Sequence, residues 1–110
     1  MGEITLKEMC ELTGISRRTI QGYEKAELVS ASKRNKYGHL LYDDMCVKRI
    51  LTIKFYQDLK FSLKEIKDII DAPKHILRPA IEHNIIQLKA EERHLKKTII
   101  KAEELINTLK

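Results

Sequence analysis

From residue 81 to residue 109 a seam recurs at alternating steps of four and three, occupied by Ile81, Ile85, Leu88, Glu92, Leu95, Ile99, Ala102, Ile106 and Leu109, with only Glu92 polar. That period of 3.5 residues keeps one apolar stripe on one face of an α-helix. A helix of about thirty residues extends about 45 Å, and nothing else in a chain of 110 residues is long enough to cover it. A stripe of that length left in water is unfavourable, so the seam predicts a coiled coil with a second copy. The expected dimerisation residues are Ile81, Ile85, Leu88, Leu95, Ile99, Ala102, Ile106 and Leu109. Glu92 either sets the register or lies where the seam is offset enough to leave its carboxylate in water. Charges of both signs outside the seam favour self-pairing over a membrane-surface or partner-captured helix.

The rest of the chain is the size of one small domain. A hydrophobic content of 43% allows one modest core plus an appendage. Gly and Pro number 4 and 2, and aromatics make up 5%, so the expected class is all-α, with sheet confined to a small hairpin. The expected division is a globular domain over 1–72, a linker over 73–80 and the coiled-coil helix over 81–110. Cys10 and Cys46 lack CxxC spacing, so neither a disulfide framework nor a zinc module is indicated, and a reducing cytoplasm is the expected location. No apolar run reaches the length of a membrane span, and the first residues do not read as a signal peptide.

Local signals divide 1–72 further. Thr5-Leu6-Lys7-Glu8 reads as a capping box, stapled by Ile4 and Met9, and Leu6, Met9, Cys10 and Leu12 give the helix it opens an apolar side. Gly14 is placed to end that helix in the left-handed conformation, and Ser16 caps another at once, flanked by Ile15 and Ile20. So short a connection makes the two helices cross steeply, the geometry of a helix-turn-helix. Over 30–42 the helical period is lost, and Gly38 followed by His39-Leu40-Leu41-Tyr42 predicts a small β-hairpin, or wing. Asp43 then caps a third helix, whose rows Cys46, Ile50, Ile53 and Val47, Leu51, Phe55 are expected to face the core. Ser62-Leu63-Lys64-Glu65 opens a fourth helix ending near Ile70, and Pro79 is expected at the first position of the long helix.

Charge is concentrated in one place. Residues 16–39 carry six Lys and Arg against Glu24 and Glu27, and so hold +4 of the chain's net +5. Arg17 and Arg18 stand at the start of the second helix, where the helix dipole disfavours cations, which makes sense if an outside anion meets them. In a helix-turn-helix this end enters the DNA major groove. Arg17 or Arg18 can then pair with guanine and Gln21 with adenine, while Thr19 and Tyr23 reach phosphate. Lys33, Arg34, Lys36, Tyr37 and His39 cluster at the wing, where its tip can straddle the backbone. His39, His75, His83 and His94 are scattered and build no metal site. No nucleophile triad, glycine-rich phosphate loop or catalytic carboxylate pair stands out, so neither an enzyme nor a cofactor is expected.

Several local strings together resemble the MerR family of bacterial transcription regulators: Ile4-Thr5 through Leu12-Thr13-Gly14-Ile15-Ser16, then Thr19-Ile20 with Tyr23-Glu24, Gly38 with Leu41-Tyr42, and Phe61-Ser62-Leu63-Lys64-Glu65-Ile66. The resemblance covers nearly the whole chain. It implies a winged helix-turn-helix with a second, helical wing, and an antiparallel coiled coil that makes a homodimer on a pseudo-palindromic site in double-stranded DNA. It also implies regulation by distorting promoter DNA so that RNA polymerase engages. Two other roles stay open on the residues: an excisionase-like architectural factor that bends DNA, and an interaction module whose coiled coil captures another protein.

The chain departs from the family pattern at three places. Gln21-Gly22 stands where the family has Arg-Tyr, His39-Leu40 where the wing has Tyr-Arg, and Glu27 where glycine precedes the leucine. Two phosphate-clamping arginines are thereby absent. Gly22 inside a helix costs about 1 kcal/mol against alanine, which suggests a close approach of its backbone to DNA or to another helix. No cysteine lies near the coiled coil as in metal- and redox-sensing relatives, and the sequence ends with the coiled coil. A protein without a built-in sensor and the N-terminal part of a longer one are both compatible with that.

Overall fold

The computed structural model describes residues 2–109, so the outer limits expected at residues 1 and 110 lie outside the described residues. The chain divides between Ala72 and Pro73 into two compact units. The first contains strand β1 (Ile4–Thr5), helices α1 (Leu6–Thr13) and α2 (Arg17–Lys25), strands β2 (Lys33–Arg34) and β3 (Leu40–Tyr42), and helices α3 (Asp44–Asp58) and α4 (Leu63–Ile69). The second is helix α5 (Lys74–Thr108). This is the expected class, a winged helix-turn-helix followed by one long helix.

Each short helix starts where a side chain can satisfy the backbone donors of its first turn. The Thr5 hydroxyl accepts from the Glu8 amide at 3.2 Å, and the Glu8 carboxylate accepts from the Thr5 amide at 2.9 Å. Ser62 and Glu65 repeat this reciprocal pair at 3.1 and 2.8 Å. Ser16 accepts from the Thr19 amide, and Asp43 from the Cys46 amide. Gly14, at φ 72°, turns the chain out of α1 in the left-handed conformation, leaving only Ile15 and Ser16 before α2.

The hairpin is joined by a strand that sequence reasoning did not foresee. β3 lies centrally, antiparallel to β2 through Lys33 opposite Leu41 and to β1 through Ile4 opposite Tyr42. Ile4–Thr5 is too short to show a strand period, and only the return of β3 beside it makes it one. The base of the wing is thus anchored to the residues that open α1.

Met9, Ile20, Tyr23, Tyr42, Ile50 and Ile66 are fully buried where α1, α2, β3, α3 and α4 meet. Two expected core rows are corrected. On α3, Ile50 and Ile53 are buried, but Leu51 and Phe55 are 45% and 56% exposed. They stand a turn apart on the side of α3 facing away from the rest of its unit, and Tyr56, edge-on to Phe61 at 6.2 Å, fills the core in their place. Leu12 of α1 is likewise exposed. Cys10 and Cys46 are half-buried, Cys46 donating its thiol to the Ser30 carbonyl at 3.2 Å.

The expected linker over 73–80 is helix instead. Pro73 is the N-cap and α5 begins at Lys74, so Pro79 lies inside the helix and not at its first position. As the sixth residue of the helix it lies beyond the first turn, so it removes the hydrogen bond that would have met the carbonyl of His75 and sets its ring against that carbonyl. Over 35 residues α5 extends about 52 Å at 1.5 Å per residue. Along its seam Leu95, Ile99, Ile106 and Leu109 are all exposed in the single chain.

Candidate nucleic-acid interface

Ser16 sets the first turn of α2. Its hydroxyl accepts from the Thr19 amide at 3.1 Å and donates to the Thr19 hydroxyl at 2.8 Å. Ile20 and Tyr23 point inward, so at 100° per residue Arg17, Gln21 and Lys25 form a row on the outer face, with Arg18 and Gly22 beside it. Arg17, Arg18 and Gln21 are exposed, the first turn has no acidic residue, and neither arginine forms an ion pair among the described residues. Two cations therefore stand at the positive end of a helix dipole without a counter-charge from their own helix.

Tyr23 does not belong to this surface, which corrects its expected contact with phosphate. It is 1% exposed, and its hydroxyl donates to Gln57 of α3 at 2.6 Å. Burial, and then the charge of Asp58, push its phenol pKa up. Two residues past Gln21 is about half a turn of helix, which carries it from the outer face to the core face, and the two cannot be told apart from Thr-Ile-Gln-Gly-Tyr alone. Thr19 is half-buried on the flank, its oxygen already accepting from Ser16.

The wing tip is shaped by Asn35, which sequence reasoning passed over. Its side-chain oxygen accepts from the amides of Tyr37 and His39 at 2.9 and 3.0 Å, and its carbonyl accepts from the Gly38 amide at 3.0 Å. Gly38 has φ 81°, a conformation that other residues adopt only with strain. Arg34 donates to the Gly38 carbonyl at 2.7 Å, and Lys33 lies 3.4 Å from Glu3, so both are partly engaged within the chain. Lys36 sits 5.1 Å above the ring of Tyr37, which is 72% exposed, and His39 is exposed beside it. Lys33, Arg34, Lys36, Tyr37 and His39 are thus together on the hairpin, and Arg17, Arg18 and Gln21 on α2.

Two contacts fix these surfaces relative to each other and to the core. Tyr42 at the end of β3 donates its hydroxyl to Glu24 of α2 at 2.9 Å, and burial followed by that carboxylate drives the phenol pKa up. Arg49 of α3 donates through Nε to the Leu28 carbonyl and through both terminal nitrogens to Asp71 at 2.8 and 2.9 Å, holding the Asp71 carboxyl below its usual range. A Lys48-Arg49 pair inside a helix gives no sequence signal for such a role. Among the described residues, no three of His, Cys, Asp and Glu are grouped so as to hold a metal ion, and no helix is long and apolar enough to cross a membrane.

Comparison with known proteins matches residues 4–73 to the model of the MerR HTH family regulatory protein. The HTH-type transcriptional activator mta of Bacillus subtilis is 32% identical over 89 residues, which cover 80% of this chain and 35% of that protein. The chain spans about a third of the length of the curated relatives it matches first. The crystal structure of MtaN, the N-terminus of the Bacillus subtilis multidrug transporter activator, superposes with a TM-score of 0.72 at 26% identity, covering 94% of this chain and 97% of that one. HiNmlR, a MerR family regulator lacking the sensor domain and solved bound to promoter DNA, has the same fold, with a TM-score of 0.74 at 23% identity over 88% of this chain and 78% of its own. With a family model spanning both the helix-turn-helix and the wing, the chain belongs to the MerR HTH family of regulatory proteins.

Proposed function

We propose that this chain is a transcription regulator that binds double-stranded DNA in a sequence-specific manner as a homodimer. The observation that carries the reading is the outer face of α2, where Arg17, Arg18 and Gln21 are exposed and neither arginine has an ion-pair partner among the described residues. The N-terminal part of α2 enters the major groove, with Arg17 or Arg18 bidentate to guanine and Gln21 to adenine. Lys36, Tyr37 and His39 at the wing tip meet the flanking backbone, with Lys33, Arg34 and Thr19 in supporting contacts to phosphate. The promoter-bound state of HiNmlR supports the choice of partner.

The seam of α5 pairs two copies in an antiparallel coiled coil, and the exposed Leu95, Ile99 and Ile106 support this, since pairing removes them from water. Two reading heads then face a pseudo-palindromic site in a promoter, whose distortion lets RNA polymerase engage. Selection of bound duplexes from a random pool tests the reading: two related half-sites should emerge, and Arg18→Ala should weaken binding and relax preference at one base pair per half-site. Recovery of unrelated sequences bound equally well would overturn sequence-specific regulation. Transcription in vitro from a bound promoter then distinguishes a regulator from a factor that only bends DNA.

A further inference from the structure

A groove of about 520 Å³ lies between the start of α1, the outer face of α2 and the hairpin tip, lined by Lys7, Arg17, Gln21, Gly38, His39 and Leu40. It gathers cationic or donor side chains from three elements far apart in the sequence: Lys7 on α1, Arg17 on α2 and His39 next to β3. No carboxylate lines it. Glu8, the acidic residue nearest in sequence, is held in its capping pair with Thr5, and Glu11, one turn beyond Lys7, makes no ion pair with it. Lys7 and Arg17 have no ion-pair partner among the described residues. The amide of His39, which lines the groove, donates to the Asn35 side chain at 3.0 Å, fixing the backbone there.

Like charges gathered by a fold without internal compensation repel one another unless an outside anion joins them. We propose that this groove seats a backbone phosphate of the bound duplex, with Lys7 as a phosphate contact beyond the set foreseen from the sequence; the inference rests on the DNA-binding reading above. The groove adjoins Arg17 and Gln21 on one side and the wing on the other, so a strand running from the major groove toward the wing passes over it.

The test is the salt dependence of binding by the full chain, read by fluorescence anisotropy with a labelled random-sequence duplex and with a duplex recovered by selection. Lys7→Gln should lower the slope of log K against log salt by about one and weaken both duplexes several-fold alike, because a phosphate contact carries no sequence information. Lys7→Arg should retain the slope, and Lys101→Gln, which removes the same charge from α5, should leave it unchanged. A wild-type slope in Lys7→Gln, while Arg18→Gln still weakens binding, overturns the groove and leaves the DNA reading intact. Silence of both variants removes both. An equal loss in Lys101→Gln reduces the effect to net charge and overturns the site. Saturable displacement of DNA by inorganic phosphate at constant ionic strength assigns the groove to a free anion, which also overturns it.

Discussion

The hydroxyl of Tyr42, at the end of the wing strand, donates to the carboxylate of Glu24 in α2 at 2.9 Å, so the hairpin and the helix proposed to read DNA are tied by one buried tyrosine. Tyr42→Phe removes this bond and leaves the half-buried Glu24 without its donor. The expected loss of stability is about 1 kcal/mol, measured by urea denaturation. DNA affinity should fall beyond that loss, because the angle between wing and helix is no longer held. An unchanged denaturation midpoint in Tyr42→Phe would show that the bond carries no net stability.

Glu27 stands at φ 62° directly after the turn that ends α2, in the left-handed region that favours glycine. A side chain in the left-handed region costs of order 1 kcal/mol, and the Lys67–Glu27 ion pair at 3.4 Å is too exposed to offset much of it. Glu27→Gly should therefore stabilise the domain by several tenths of a kcal/mol, up to about 1 kcal/mol. Thermal unfolding checks this. A lower melting temperature would mean that the ion pair outweighs the strain.

Gly22 lies on the outward side of α2, and a Cβ added there meets nothing within 4 Å. Among the described residues of its own unit, no second helix meets it. Gly22→Ala should raise stability by about 1 kcal/mol. If the backbone at Gly22 approaches DNA, the same variant should bind its duplex more weakly despite folding better. Equal or tighter binding would remove that close approach from the account of recognition.

Asp71, Asp43 and Glu65 all have pKa values lowered in the folded chain: Asp71 by the hydrogen bonds from Arg49, and the other two by the backbone amides they cap. A depressed carboxyl contributes stability that is complete above its unfolded pKa, near 3.8 for Asp and 4.5 for Glu, and is lost as pH falls through the folded value. These carboxyls should accordingly contribute a stability that is constant above about pH 5 and declines below about pH 4. Asp71→Asn should make that decline shallower. A decline of unchanged steepness in the variant would exclude Asp71 from it.

Ile99 is 56% exposed in the single chain, so Ile99→Asp has little to disturb in an isolated helix. In a coiled coil it places a charge in the seam, which should shift the dimer toward monomer by tenfold or more in sedimentation equilibrium, at a cost of about 2–3 kcal/mol. A variant that sediments as the wild type does would place the pairing surface elsewhere.

The signals that could be read in advance were local. Thr5 with Glu8, Ser16, Asp43 and Ser62 with Glu65 announced the starts of α1 to α4, because a cap satisfies backbone donors within three residues of itself. Gly14 announced the tight turn for the same reason. Arg17, Arg18 and Gln21 were legible as an outward face once α2 was placed. Pro79 misled, since a proline near a helix start is compatible with several registers, and the cap at Pro73 that decided among them has no side-chain bond to advertise it.

What the chain's order of residues determined alone was the set of helices, the hairpin, the concentration of positive charge between residues 16 and 39, and the apolar seam of α5. Only the tertiary structure decided that Tyr23 faces Gln57 and not solvent, that Leu51 and Phe55 stay outside, that Ile4–Thr5 becomes a strand, and that Lys7, Arg17 and His39 share a groove. The physical reason is range. Helix starts and periodicities arise from neighbours a few residues apart, whereas the face a tyrosine takes or the company a lysine keeps depends on which distant segment packs beside it.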